Sequence, residues 1–214
     1  MSVQFTIAKE KTKDLEGGYW NDPSAGHTYA GITYKYNPNW PGWKRLFQLA
    51  TSKYGSITRT PRYAKFDDEQ LNKLIADYYF NRYWNGLMSG NLFRNQDIAN
   101  FVYDFLLHKE NDAVAVINYT AKQLQKNVAA SKAKLSAAVI TVANNAQEAF
   151  YNLLRRNREL YYRSPKSIPG TSIKSFSKQL ADAFIRDRVN KFPAATKTTL
   201  QFPSFTLPWQ SIKS

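Results

Sequence analysis

The chain contains no cysteine, which excludes disulfide frameworks, thiolate zinc sites, iron–sulfur clusters and thiol nucleophiles. Histidine is almost as scarce. His27 and His108 are too few and too far apart in sequence to build a histidine-ligated metal centre, so neither a metal nor a cofactor is implied. No apolar run approaches the roughly 20 residues that a membrane-spanning helix needs. The charged N-terminus MSVQFTIAKEKTKDLEGG lacks the pattern of a cleavable secretory signal, so synthesis in a cytoplasm is expected. Acidic residues are also few: 16 Asp and Glu stand against 30 Lys and Arg, a net charge of +14. Such a surface attracts anions, but its sign does not choose between nucleic acid, an anionic cell wall and an acidic membrane surface.

What is present points to a folded protein. Of the 214 residues, 43% are apolar and 15% aromatic, enough for a sizeable core in one large domain or two small ones. Residues 3–16 predict a helix ended by Gly17-Gly18. Residues 19–43 are dense in Gly, Pro, Asn and aromatics and predict loops, with a strand around Thr28–Tyr34. A helix is expected from an Asp67 cap to about Trp84, with Leu71, Leu74, Ile75, Tyr78 and Tyr79 on one face. Further helices are expected from near Asp97, from near Asn111, over 134–163 and from Phe176 to about Asn190, followed by an extended, proline-bearing tail.

Glu16-Gly17-Gly18-Tyr19 carries the clearest chemical suggestion. A carboxylate on the last turn of a helix lies at the negative end of the dipole, which favours its protonated form. Protonating a glycosidic leaving oxygen requires such an acid. Two glycines after it would let a substrate approach the backbone. On the four residues alone, a solvated Glu before a glycine cap is the favoured reading. Tyr19, Trp20, Trp40 and Trp43 offer flat faces on which pyranose rings could stack, or they belong to the core; Trp84, beside Tyr83 on a helix, and Asp104 in FVYDF suit structural roles. Interleaved cations and aromatics in RRNRELYYR (155–163) could grip nucleic acid, but no recognised motif accompanies them and the charges are spread over several helices.

The ordered run LEGGYWNDPSAGHTYAGITYKYNPNWPGW (15–43) resembles the signature of the N-acetylmuramidases of glycoside hydrolase family 108: Glu-Gly-Gly-Tyr, then Asn-Asp-Pro, then Thr-Tyr-x-Gly-Ile, then Pro-x-Trp-x-Gly-Trp. Tyr83-Trp84 and FVYDF (101–105) are similar to later family elements. AVAVINYTAKQLQ (113–125), RRNRELYYR and FIRDRVNKFP (184–193) resemble the peptidoglycan-binding region that follows the catalytic part. The resemblance implies a mainly α fold, with a lysozyme-like catalytic lobe over 1–108, a helical wall-binding lobe over 109–193 and an extended tail over 194–214.

It further implies hydrolysis of the β-1,4 bond between N-acetylmuramic acid and N-acetylglucosamine, with Glu16 as general acid. The family's Asp nine residues beyond that Glu is Ala25 here, and the residue before the Thr is His27. The second catalytic role therefore rests between Asp22, equally suited to forming the Asn-Asp-Pro turn, and Thr28 as a water-positioning hydroxyl. His27 is either a base or a hydrogen-bonding loop residue. Gly17, Gly18, Tyr19, Trp20, His27, Tyr29, Trp40 and Trp43 are the implied substrate-binding positions. The same departures motivate an alternative, a catalytically inactive wall-binding or virion protein that kept the fold. An active enzyme of this kind works in the periplasm or cell wall and, lacking a signal, needs a holin, an export channel or a virion to deliver it; nucleic acid is not the expected partner.

Overall fold

The computed structural model describes residues 3–12 and 17–194. The architecture is mainly α-helical with one small sheet: α1 (Phe5–Thr12), β1 (Trp20–Asp22), β2 (Gly26–Tyr29), β3 (Ile32–Thr33), α2 (Gly42–Tyr54), α3 (Glu69–Tyr79), α4 (Gln96–Leu124), α5 (Ala137–Asn145), α6 (Gln147–Arg163) and α7 (Lys178–Phe184). Lys109, with φ −146° and ψ 49°, breaks the helical path inside α4. By compactness the described chain divides next to that residue. One unit runs to Glu110 and includes Ala133–Leu135; the other holds Asn111–Lys132 and the residues from Ser136 on.

Several boundaries differ from the sequence expectation, each for a local reason. The residues from 13 to 16, expected to complete the first helix, and the tail from 195 lie outside the described residues. Asp68, not Asp67, caps α3, accepting from the Leu71 N–H at 2.8 Å, because its carboxylate also meets Arg45 of α2. Instead of continuing as α-helix to Trp84, the chain runs on as a π-helix over Phe80–Leu87. That wider turn seats the fully buried Trp84, whose indole donates to Asn91 at 2.8 Å and covers Gly90, where a Cβ would collide with the ring. Asn95 caps α4 through the N–H groups of Asp97 and Ile98. The single segment expected over 134–163 is two helices, capped by Ser136 and interrupted at Ala146 (φ −123°, ψ 47°). The helix expected from Phe176 begins at Lys178 behind the Ser177 cap and ends as a π-turn over Ile185–Val189. Helix α2 has no counterpart in the sequence reading.

In the first unit, Phe5 of α1 packs edge-on against Phe80 and Tyr103, 5.3 and 5.8 Å between centroids, and against Trp84 at 5.8 Å. The sheet is an antiparallel meander, β1-β2-β3. A two-residue turn, Ala30-Gly31, joins β2 to β3 with φ of 47° and 76°, the left-handed pair that matches strand twist. Tyr79 of α3 donates to the Ala30 carbonyl, and the Tyr29 hydroxyl accepts from the Phe66 N–H at 3.0 Å, so the meander is fastened at its turn.

In the second unit, Asp112 is a buried anchor. Its carboxylate accepts from Ser172 N–H (2.6 Å), Ser172 Oγ (2.8 Å), Ile173 N–H (3.2 Å) and Tyr161 Oη (2.8 Å). Burial alone would raise its pKa, but these donors outweigh it and hold the carboxyl below its usual value. The charged form is therefore favoured by folding. Its stabilisation is present above the unfolded pKa of about 4 and is lost as the pH falls through the depressed folded value. Asp112→Ala is expected to cost about 3 kcal/mol, since it also strands the buried Tyr161 hydroxyl; the unfolding midpoint in urea measures this. The cations of RRNRELYYR are tied into the same unit: Arg158 is buried against Tyr162, Arg155 donates to the Val189 carbonyl, and Arg163 pairs with Glu159 and Asp182.

Candidate active site

The meander sorts the expected residues onto two faces. Trp20 lies opposite Thr28, and Thr28 opposite Thr33, so these three share one face. All three are half-buried, and Thr28 Oγ1 donates to Thr33 Oγ1 at 3.2 Å. On the other face His27, Tyr29 and Ile32 turn inward, with Tyr29 and Ile32 fully within the core cluster.

Gly17 and Gly18 serve different purposes. The Gly17 carbonyl accepts from the Ala30 N–H at 3.0 Å, and the space where its Cβ would stand is open. At Gly18 a Cβ would run into the Tyr63 and Ala64 carbonyls, because the two backbones pair there: Tyr19 N–H donates to Ala64 O at 2.9 Å and Tyr63 N–H to Tyr19 O at 2.6 Å. Gly18 is thus required for chain packing. Glu16 itself lies outside the described residues, and with it the expected helix-end effect on its acidity.

Most of the aromatic residues expected at substrate-binding positions are core residues. Tyr19, Tyr29, Trp40 and Trp43 are 2, 4, 7 and 3% exposed. The Pro-x-Trp-x-Gly-Trp spacing has a packing explanation: the Trp40 ring lies over Gly42, where a Cβ would collide with it, and meets Trp43 edge-on at 5.1 Å. Their indoles donate to the Leu74 and Asn37 carbonyls. A 660 Å³ cleft opens beside Trp40, lined also by Tyr36, Asn39, Asp77, Tyr78 and Arg82. Trp20 alone of the expected platforms remains partly accessible on the meander.

Asp22 is held in the turn between β1 and β2. It accepts from Ser24 Oγ (2.6 Å), Ser24 N–H (2.7 Å), Ala25 N–H (2.9 Å) and Trp20 Nε1 (3.2 Å). These donors pull its pKa down to about 2, with the serine contacts contributing most. A carboxylate that weakly basic, with its lone pairs engaged, suits a turn former. Asp22→Asn is therefore expected to leave glycan turnover within a few-fold of wild type. It should instead loosen the turn at neutral pH, an effect that vanishes as the pH falls toward 2, where Asp22 also loses its charge. Thermal unfolding of both proteins from pH 7 to pH 2 checks the sign.

His27 shares a hydrogen bond of 2.8 Å with the Tyr19 hydroxyl and lies edge-on to Phe47 and Tyr34. Burial lowers its pKa and raises that of Tyr19, so both are neutral at pH 7. Its contacts are those of a packed aromatic.

Sequence reasoning passed over Arg62 and Tyr63, which the backbone pairing brings beside Trp20. The two rings are 6.4 Å apart and nearly parallel, and the Arg62 guanidinium lies 3.6 Å from the Trp20 centroid and 4.6 Å from that of Tyr63. Nothing in the spacing of RTPRYAK signals this, since the partner is more than 40 residues away.

Residues 10–109 match the family model described as glycosyl hydrolase 108. This part of the chain is similar to glycosyl hydrolase 108 domains. The matched stretch ends at Lys109, the residue that interrupts α4, and contains the end of α1, the meander, α2, α3 and the Arg62–Tyr63 segment. A structure of SagA from Brucella abortus is 19% identical, with 92% of this chain and 98% of that chain covered and a TM-score of 0.49. No curated protein matches the chain.

Proposed function

We propose that the glycosyl hydrolase domain cleaves the β-1,4 bond between N-acetylmuramic acid and N-acetylglucosamine in peptidoglycan, with Glu16 as general acid. The observation that carries this reading is the family match over residues 10–109, within which Glu16-Gly17-Gly18-Tyr19 stands intact. Glu16 gives its proton to the leaving O4 of N-acetylglucosamine as the C1–O4 bond breaks, and water supplies the new hydroxyl at C1 of N-acetylmuramic acid. The proton released by that water restores the acid. Thr28 and Thr33, paired on the meander face that follows Gly17-Gly18, are the hydroxyls suited to orienting the water. In the second unit, an 870 Å³ hollow lined by Tyr119, Lys122, Gln123, Lys132 and Gly170 is the candidate wall-binding surface. Among the described residues no helix is long and apolar enough to cross a membrane.

The test is digestion of purified peptidoglycan, followed by borohydride reduction and mass spectrometry of the fragments. Reduced N-acetylmuramic acid at the new ends supports the assignment; reduced N-acetylglucosamine ends or no fragments would overturn it. One observation favours a second reading, a wall binder without turnover: Asp22 is the only carboxylate in residues 17–43, and it is committed to the turn. Sedimentation with peptidoglycan, without fragment release, would support that reading.

A further inference from the structure

The Arg62 side chain is built like a recognition element. It is exposed, yet its guanidinium carbon lies 3.6 Å from the ring centroid of Trp20 on β1 and 4.6 Å from that of the 60% exposed Tyr63. A cation–π contact holds the cation by its charge and does not use up the hydrogen-bonding capacity of its N–H groups. Among the described residues Arg62 has no carboxylate, carbonyl or hydroxyl partner for those groups, in contrast to Arg45, Arg82 and Arg163, each paired with a carboxylate. Tyr63 adopts φ +65°, a left-handed conformation that strains a residue with a Cβ, and its backbone pairing with Tyr19 holds it there. The stack is fixed to the chain segment that continues directly from Glu16. A mobile surface arginine would need none of these constraints.

We infer that Arg62, clamped by Trp20 and Tyr63, recognises a carboxylate on the glycan substrate. This inference rests on the proposed peptidoglycan reading. A planar guanidinium with its N–H groups free matches a carboxylate through two parallel hydrogen bonds, and clamping lowers the entropy lost on binding. Within peptidoglycan, N-acetylmuramic acid differs from N-acetylglucosamine by a lactyl ether that ends in a carboxyl group. That group is free in peptide-stripped strands, and in intact strands it carries a stem peptide with carboxylates of its own. Either source presents the same chemistry, and Arg62 makes the domain prefer strands bearing it.

The experiment is calorimetric titration of the full-length protein with soluble peptide-free glycan strands, with the same strands after reduction of the lactyl carboxyl to an alcohol, and with peptide-bearing strands. Wild type is expected to bind carboxylate-bearing strands about tenfold or more tightly than reduced ones, the range of a charge-assisted bidentate contact. Arg62→Gln should abolish the preference while binding reduced strands like wild type, and Arg62→Lys should retain only part of it. Tighter binding of peptide-bearing than of peptide-free strands assigns the carboxylate to the stem peptide; the reverse assigns it to the lactyl group. Equal binding of all strands, binding of none, or a preference unchanged in Arg62→Gln would overturn the inference. Glu16→Gln, run in parallel, separates the two readings: hydrolysis without carboxylate preference removes only the role of Arg62, and preference without hydrolysis removes only the hydrolase.

Discussion

Glu16→Gln is expected to lower turnover on peptidoglycan about a thousandfold or more, with the unfolding midpoint and the affinity for glycan strands unchanged. The amide keeps the size and shape of the carboxyl group but has no proton acidic enough to give to the leaving oxygen, so the bond must break toward an unassisted alkoxide. Positioned proton transfer contributes typically 10²–10⁴-fold in such reactions. Affinity is preserved because the lost interaction develops only as the C1–O4 bond lengthens, so kcat should fall and KM should not. Initial rates of reducing-end release under saturating glycan measure the effect. A Glu16→Gln protein as active as wild type would remove Glu16 from the chemistry and move the search to another acid in the domain.

The second large effect is expected at Gly18. Replacing it by Ala places a Cβ against the carbonyls of Tyr63 and Ala64, which are backbone atoms and cannot swing aside as a side chain would. The two segments must separate, at the cost of the 2.9 Å and 2.6 Å hydrogen bonds that join Tyr19 to Ala64 and Tyr63. A loss of about 2–3 kcal/mol follows from overpacking together with broken buried hydrogen bonds. Because the same pairing sets Arg62 beside Trp20, Gly18→Ala should also weaken glycan binding. Gly17→Ala is the matched control: its Cβ meets open space, so its stability should stay within about 0.5 kcal/mol of wild type. Urea titrations of the two variants side by side distinguish the positions. Equal behaviour would show that the glycine pair acts as a flexible joint and not as a packing contact.

Helical spacing in the sequence determined the mainly α architecture, because apolar residues at i, i+3, i+4 and i+7 can bury one face only as a helix. Leu71, Ile75 and Tyr79 do so in α3, and Phe101, Val102, Phe105 and Leu106 in α4. The ordered motif over 15–43 likewise pointed to the stretch that matches the glycosyl hydrolase 108 model, since several residue types at set spacings are hard to meet by chance. Helix α2 was not legible: it begins inside a stretch whose Pro, Gly and Trp read as loop, and its start depends on Trp40 folding back over Gly42. What surrounds each candidate residue depends on tertiary structure. Whether Asp22 is a base or a turn former depends on donors from Ser24, Ala25 and Trp20 converging on one carboxylate, and whether Trp43 is a platform or core depends on what covers it. Arg62 shows the difference most plainly. Its position on Trp20 follows from hydrogen bonds between backbones more than 40 residues apart, and backbone pairing at that separation depends on the folded path of the chain and leaves no periodic trace in the sequence.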